Sequence, residues 1–309
     1  NMDLNLKPAS ECAFDAVSLG EVMLRLDPGE GRIRTARSFR AWEGGGEYNV
    51  ARGLRRCFNL NTGVITAFAD NEIGKLLIDF IEQGGVSTDL IYMKKTDRIG
   101  RVCRNGLNFT ERGFGIRGAV GCSDRANTAI SKATPEDFDF DAIMEGADWF
   151  HWSGITPAIS DKAAELTKLA CEAAKRHGVT VSVDLNFRKK LWTSEKAISI
   201  MRPLMQYVDV CIGNEEDAEL VLGYKPGKTD VTSGELELAG YKSIFEQMVA
   251  DYNFEYCVSS LRESHSASDN GWSACIYNSK TKEFYHSKQY NLHPIVDRVG
   301  GGDSFAAIM

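Results

Sequence analysis

The chain reads as an α/β protein whose core is a mostly parallel sheet with helices on both faces and a small β-sheet lid. Three features carry that expectation: apolar runs short enough for buried strands, amphipathic helical stretches between them, and two separated, turn-punctuated β segments with no helix of their own. At 309 residues, with 43% apolar and 26% charged positions, the sequence suits one large α/β domain or two ordinary ones. It shows no internal repeat or low-complexity linker, so residues 14–309 are expected to form a single core domain.

Phe14 to Leu19 and Thr62 to Phe68 are β-branched apolar runs that predict strands. Between them Val50, Ala51, Leu54, Cys57 and Phe58 recur at steps of three and four, which predicts a helix over Glu47–Phe58. Ile73, Leu76, Leu77 and Phe80 predict another over Glu72–Glu82, stopped by Gly84-Gly85. From Pro135 the alternation is regular. A helix to Glu145, a strand at Trp149–Trp152, a helix from Ser160 to His177, and strands at Val179–Leu185 and Val208–Ile212 follow in turn. Residues 32–46 and 99–125 break this alternation, and antiparallel strands inserted there would project as a lid over the core.

With 36 basic against 43 acidic residues the net charge is −7, which argues against nucleic acid or an anionic membrane as partner. No apolar stretch approaches the roughly 18–20 residues that span a bilayer, and the first residues lack a secretion pattern. The eight cysteines are scattered, none closer to another than Cys257 is to Cys275, so they form no metal or redox spacing and predict reduced thiols in a cytoplasmic protein.

Two glycine clusters precede helices: Gly44-Gly45-Gly46-Glu47-Tyr48-Asn49 and Gly300-Gly301-Gly302-Asp303-Ser304-Phe305. Glycines admit close backbone approach and a helix N-terminus presents free N–H groups, so each loop can hold an anion, although either alone also fits a tight turn. Neither has the spacing of a dinucleotide fingerprint or a Walker loop, which disfavours a dehydrogenase. Asp303 directly after three glycines adds an acid that can accept a hydroxyl proton beside donors able to hold a phosphoryl group, the two demands of phosphoryl transfer. Asn186 and Arg188 follow one predicted strand and Asn214, Glu215, Glu216 and Asp217 another, where a parallel sheet places ligands; the acidic group suits Mg²⁺, directly or through water, or a helix first turn.

In combination these motifs resemble the ribokinase-like (PfkB) carbohydrate kinases, and within them the ketodeoxygluconate kinase branch, over Phe14 to Ala307. Gly44 to Ala51 is similar to the family's sugar-binding segment, Asn214-Glu215-Glu216-Asp217 to its NxxE motif with Asp in place of the final Glu, and Asp297-Arg298-Val299-Gly300-Gly301-Gly302-Asp303 to its DTxGAGD signature. Asp184-Leu185-Asn186-Phe187-Arg188 and Asp124-Arg125-Ala126-Asn127 point to the ketodeoxygluconate branch.

The resemblance implies a ribokinase-like three-layer core with a β lid, and an ATP-dependent kinase acting on a primary hydroxyl of 2-keto-3-deoxygluconate. It makes Asp303 the base and Gly300, Gly301 and Gly302 the anion hole. It assigns Gly45, Gly46, Asn49, Arg125 and Arg188 to the sugar, and Asn214 and Asp217 to Mg²⁺ through its waters. Asp297 becomes an acid that steadies the loop, sometimes beside a monovalent cation. The family pattern continues past Ala307 with segments that complete the adenine pocket, so adenine contacts are expected outside these residues.

The rival readings are a kinase of a neutral sugar such as fructose or of a nucleoside, and a non-catalytic sugar-binding regulator, which would need no acid at 303. Arg98, Arg101, Arg104, Arg112, Arg117 and Arg125 crowd the lid segments and either attract a sugar acid and ATP or protect exposed strand edges. Such edges also predict pairing of two copies through the lid.

Overall fold

The computed structural model describes residues 4–214, 216–225 and 234–309. In chain order the strands are β1 (Phe14–Leu19), β2 (Met23–Asp27), β3 (Arg40–Gly44), β4 (Thr62–Ala69), β5 (Ile91–Lys94), β6 (Leu107–Glu111) and β7 (Val120–Asp124). They continue with β8 (Ala147–Ser153), β9 (Thr180–Asp184), β10 (Val210–Asn214), β11 (Tyr256–Ser266), β12 (Asp269–Asn278), β13 (Glu283–His286) and β14 (Tyr290–Leu292). A ten-stranded sheet runs β13-β12-β11-β10-β9-β8-β1-β4-β5, with β14 also on β12. From β11 through β5 every pairing is parallel, and β12, β13 and β14 join antiparallel.

The parallel strands are buried on both faces, as β4 shows by having no exposed residue. Alternate side chains therefore feed two cores. Val17, Leu19, Ile65, Val181, Val183, Cys211 and Cys257 point to one, where the helices Asp161–Arg176 and Ser194–Leu204 pack. Val64 and Phe68, with Val210, Ile212 and Val258 further along, point to the other, which helices Gly46–Phe58 and Gly301–Ile308 cover. The result is the expected helix, sheet and helix layering. Ser160 caps its helix as predicted by accepting from the Ala163 amide at 3.0 Å. The helix expected from Pro135 is broken instead into a short turn at Pro135–Asp137 and a helix at Phe140–Glu145, because Asp139 starts a new cap on Ala142.

The lid is a separate four-stranded sheet in the order β3-β2-β6-β7. Segments 32–46 and 99–125 supply β3, β6 and β7, but the central strand β2 comes from Met23–Asp27, between β1 and the first expected lid segment. Residues 33–35 form a helical turn, and Gly100 to Cys103 lie in bends rather than the β segment expected there. That stretch is ordered by the Asp97 carboxylate, which accepts from the amides of Ile99 and Gly100 and so stabilises a turn.

Glycine is required where the lid strand enters the core. A Cβ on Gly45 would stand 2.0 Å from the Glu21 carbonyl oxygen, so β3 and the loop after β1 can approach only without a side chain. Gly118 in the lid has open space around it. Gly45→Ala should therefore cost about 1–3 kcal/mol in urea unfolding, whereas Gly118→Ala should stay within about 0.5 kcal/mol of wild type.

Candidate active site

The strand order reverses at β1, with β4 on one side and β8 on the other, and ligand clefts of parallel sheets open at the carboxyl ends of strands beside such a reversal. Two helices begin there. Helix Gly46–Phe58 starts after the first glycine cluster and helix Gly301–Ile308 after the second, with Gly300 in the left-handed region at φ +78° as its N-cap. Their first turns meet: Asn49 Nδ2 donates to Asp303 Oδ2 at 2.8 Å, and Gly46 is so close that a Cβ would stand 3.4 Å from Asp303 Oδ1.

Asp303 opens onto a cleft of about 300 Å³ whose walls include Asp184, Asn186, Arg188, Asn214, Asp217 and Gly300–Gly302. Burial raises the Asp303 pKa above the ordinary carboxylate value, and the Asn49 hydrogen bond and the Arg188 charge draw it back. Asp184, half-buried on the cleft wall, is pushed well up by desolvation and by the neighbouring charges of Asp217 and Asp303, with Arg188 opposing. Glu47 is raised by burial too, although Ser153 and Thr156 hydroxyls donate to its Oε1 at 2.5 and 2.8 Å.

Asp217 is mostly occupied by the chain itself. One carboxylate oxygen accepts the Phe187 amide at 3.1 Å and the other the Asn214 amide at 2.9 Å, which ties the ends of β9 and β10 together. Asn214 Oδ1 in turn accepts from the Glu216 and Asp217 amides. Each carboxylate oxygen keeps a further lone pair, so this pair fits a cation held through water better than direct ligation. Among the described residues no cluster of three or more His, Cys, Asp or Glu is placed to bind a metal. Glu215 lies outside the described residues.

Asp303, Gly300, Gly301, Gly302, Arg188, Asn214 and Asp217 thus share one cleft, with Gly46 and Asn49 touching its base. Gly45 stands one residue back, against Glu21. Arg125 does not line that cleft: its Nε donates to Glu21 Oε1 at 2.9 Å, a largely buried ion pair completed by Thr128. Asp297 faces a second cleft beneath the lid, where its Oδ1 accepts from the Val299 amide and Oδ2 lies 3.9 Å from Arg25. The other lid arginines are largely engaged: Arg112 with Asp27, Arg117 with Glu111, and Arg104 with backbone carbonyls.

Sequence reading missed Ser260, Arg262 and Trp272, which reach the main cleft from β11 and β12, and Arg298 beside the glycine loop. The sequence offered little signal for them: burial alternates along β12, but Trp272-Ser273-Ala274-Cys275-Ile276-Tyr277 does not alternate apolar with polar. Arg262 and Arg298, with Arg188 among the carboxylates, add positive charge suited to phosphates to the same cleft.

A switch-point cleft, two helix N-termini, a half-buried acid and a lid come together in one α/β protein. Comparison with known proteins gives the class: residues 13–237 match the pfkB family carbohydrate kinase model, and the chain belongs to that family. A crystal structure of 2-dehydro-3-deoxygluconokinase from Thermotoga maritima is 41% identical with a TM-score of 0.85, covering 94% of this chain and 85% of that one. The 2-dehydro-3-deoxygalactonokinase of Haloferax volcanii is 31% identical over 94% of this chain and 81% of its own length. A PfkB family carbohydrate kinase from Listeria grayi is 28% identical with a TM-score of 0.83, covering 94% of this chain and 85% of that one. The protein is a sugar kinase with a ribokinase-like fold. Among the described residues no helix is long and apolar enough to cross a membrane.

The raised pKa makes a stability statement that needs no substrate. Folded Asp303 holds its proton to higher pH than the unfolded chain does, so its contribution favours folding at low pH and is lost as pH rises from the ordinary aspartate value through the raised one. Asp303→Asn removes the charge, and calorimetry at pH 7.5 should find its Tm about 1–4 °C above wild type.

Proposed function

We propose that the protein transfers the γ-phosphoryl group of ATP to a primary hydroxyl of a 2-keto-3-deoxy sugar acid, with 2-keto-3-deoxygluconate as the substrate. The observation that carries this reading is the half-buried Asp303 carboxylate at the meeting of two helix N-termini, fixed by Asn49 and open to the cleft. Asp303 takes the hydroxyl proton as the sugar oxygen attacks phosphorus, and ADP departs toward the side lined by Asn214 and Arg262. The amides of Gly300, Gly301 and Gly302 face the oxygens of the moving phosphoryl group, where each preorganised donor is worth about 3–4 kcal/mol of barrier.

Gly45, Gly46 and Asn49 border the sugar, and Arg188, set among Asp184, Asp217 and Asp303, holds its hydroxylated or anionic part beside the reacting oxygen. Arg125 acts through Glu21 by fixing the hinge after β1. Mg²⁺ bound to the nucleotide would be held through water by Asn214 and Asp217 and would offset phosphate charge. Asp297 steadies the loop through the Val299 amide. Support for the substrate comes from the 2-dehydro-3-deoxygluconokinase and 2-dehydro-3-deoxygalactonokinase named among the relatives. Pairing of two copies through the lid belongs to the same reading, because β7 is an edge strand exposed at every residue.

Asp303→Asn should bind the sugar within a few-fold of wild type and lose about 10²–10⁴ in kcat; near-normal turnover would refute the base assignment. A coupled ADP-release assay across 2-keto-3-deoxygluconate, 2-keto-3-deoxygalactonate, fructose, ribose and adenosine should favour the two sugar acids, and turnover of neutral substrates alone would remove the sugar-acid reading. Sedimentation equilibrium should give a dimer that a charge at Val120 (Val120→Glu) weakens, and a wild-type monomer at assay concentration would remove the pairing.

A further inference from the structure

The lid carries an arginine that neither motif nor spacing singles out. The pleat of its sheet sends alternate residues to opposite faces. On one face Leu24, Leu26 and Leu107 pack onto the core around Tyr48, Phe68 and Leu77. On the other, the registers β3 to β2, β2 to β6 and β6 to β7 place Trp42, Arg25, Asn108 and Ser123 side by side in one row. Arg25 and Trp42 overlook a cleft of about 470 Å³ shared with Asn49, the residue that holds Asp303, and with Asp297, Asp27 and Arg112.

The formal charges lining that cleft balance, Arg25, Arg52 and Arg112 against Asp27, Glu43 and Asp297, but the hydrogen-bond capacity of two of the arginines is not filled. Asp27, only 1% exposed, gives one carboxylate oxygen to the Gly29 amide at 2.7 Å. Its other oxygen is shared by two guanidinium groups, Arg112 at 3.3 Å and Arg25 at 3.5 Å. Arg25 is 15% exposed, its second carboxylate neighbour is Asp297 at 3.9 Å, and its Nε is buried without a partner among the described residues. The Arg112 Nε is buried and unpartnered as well. A guanidinium has five donors in a planar fork that matches a carboxylate, and buried donors left empty are costly, so two such forks around one shared oxygen form a receptor for a second carboxylate.

We propose that Arg25, backed by Arg112, binds the carboxylate of the substrate at the lid end of the cleft and so sets the preference of this kinase for sugar acids over neutral sugars. The inference rests on the sugar-acid reading above. Asn49 then stands between the two ends of the bound sugar, with the carboxylate toward Arg25 and the reacting hydroxyl toward Asp303. Arg188 then holds the hydroxylated part of the sugar beside the reacting oxygen, and Arg125, nominated by sequence for the anionic end, stays with Glu21.

The test compares 2-keto-3-deoxygluconate with its methyl ester, which removes only the charge, in wild type, Arg25→Met and Arg25→Lys. Wild type should prefer the acid in kcat/KM by about 10- to 100-fold, the worth of one or two charge-assisted hydrogen bonds. Arg25→Met should bring that preference to within about threefold of unity, through KM of the acid, with KM for ATP unmoved; Arg25→Lys should recover part of it. Circular dichroism and Tm establish that each variant is folded. If Arg25→Met does not fold, the decision falls to Arg25→Lys, which shortens the fork to one point charge and should still lower the preference at least threefold. An unchanged preference in a folded variant, or equal losses for acid and ester, overturns the assignment of Arg25 while leaving the kinase reading intact. A wild-type enzyme that turns over no sugar acid overturns both.

Discussion

The hydrogen bond from Asn49 to Asp303 is the constraint around which the site is arranged. It joins the first turns of two helices that come from opposite ends of the chain, and both helices pack on the same face of the sheet through Val50, Ala306 and Ala307. The Asn49 amide and the Arg188 charge favour the ionised form of this half-buried carboxylate. Burial and the Asn49 donor act in opposite directions on that proton. Burial has the larger effect, so the Asp303 pKa lies above the ordinary aspartate value.

Around this pair the acids outnumber the cations. Glu47, Asp184, Asp217 and Asp303 influence one another's charge, and Arg188 is the cation that opposes Asp184, Asp217 and Asp303 alike. Burial raises the pKa of all four, because unpaired negative charge in a low dielectric is expensive. Such a floor repels a phosphate unless positive charge comes with it or stands opposite. Arg262 and Arg298 line the same cleft and supply part of that positive charge.

The parts of the fold that sequence made legible are those fixed by local chemistry. The strand Phe14–Leu19 and the helices after Gly45 and Asn71 declare themselves through runs and periods within a dozen residues. The glycine clusters were equally visible because close approach admits no other residue, as Gly45 against Glu21 shows. What stayed hidden depends on partners far away. Strand β2 pairs with β6 across some eighty intervening residues, and its five residues read as a loop until that partner is known. Arg262 and Trp272 reach the cleft only because β11 and β12 pair in the register that sets them opposite each other. Arg125 illustrates the converse: its position in a motif pointed to the substrate, and the fold gave it to Glu21.

The lid is therefore better understood as a fixed plate than as a loose flap. Its apolar face is continuous with the core beneath helix Glu72–Gln83 through Leu24, Leu26 and Leu107, and Phe109 is held edge-on by Phe39. Removing those leucines from water contributes about 1.5–3 kcal/mol each when burial is complete, enough to set the opposite face at a defined height above Asn49. A recognition row on a sheet so anchored keeps its spacing, since neighbouring strands hold one another in register, whereas a loop of the same residues would have to be ordered by the ligand. In the proposed reading, a sugar acid held by its carboxylate at the lid row would be positioned for attack only if its other end reached Asp303.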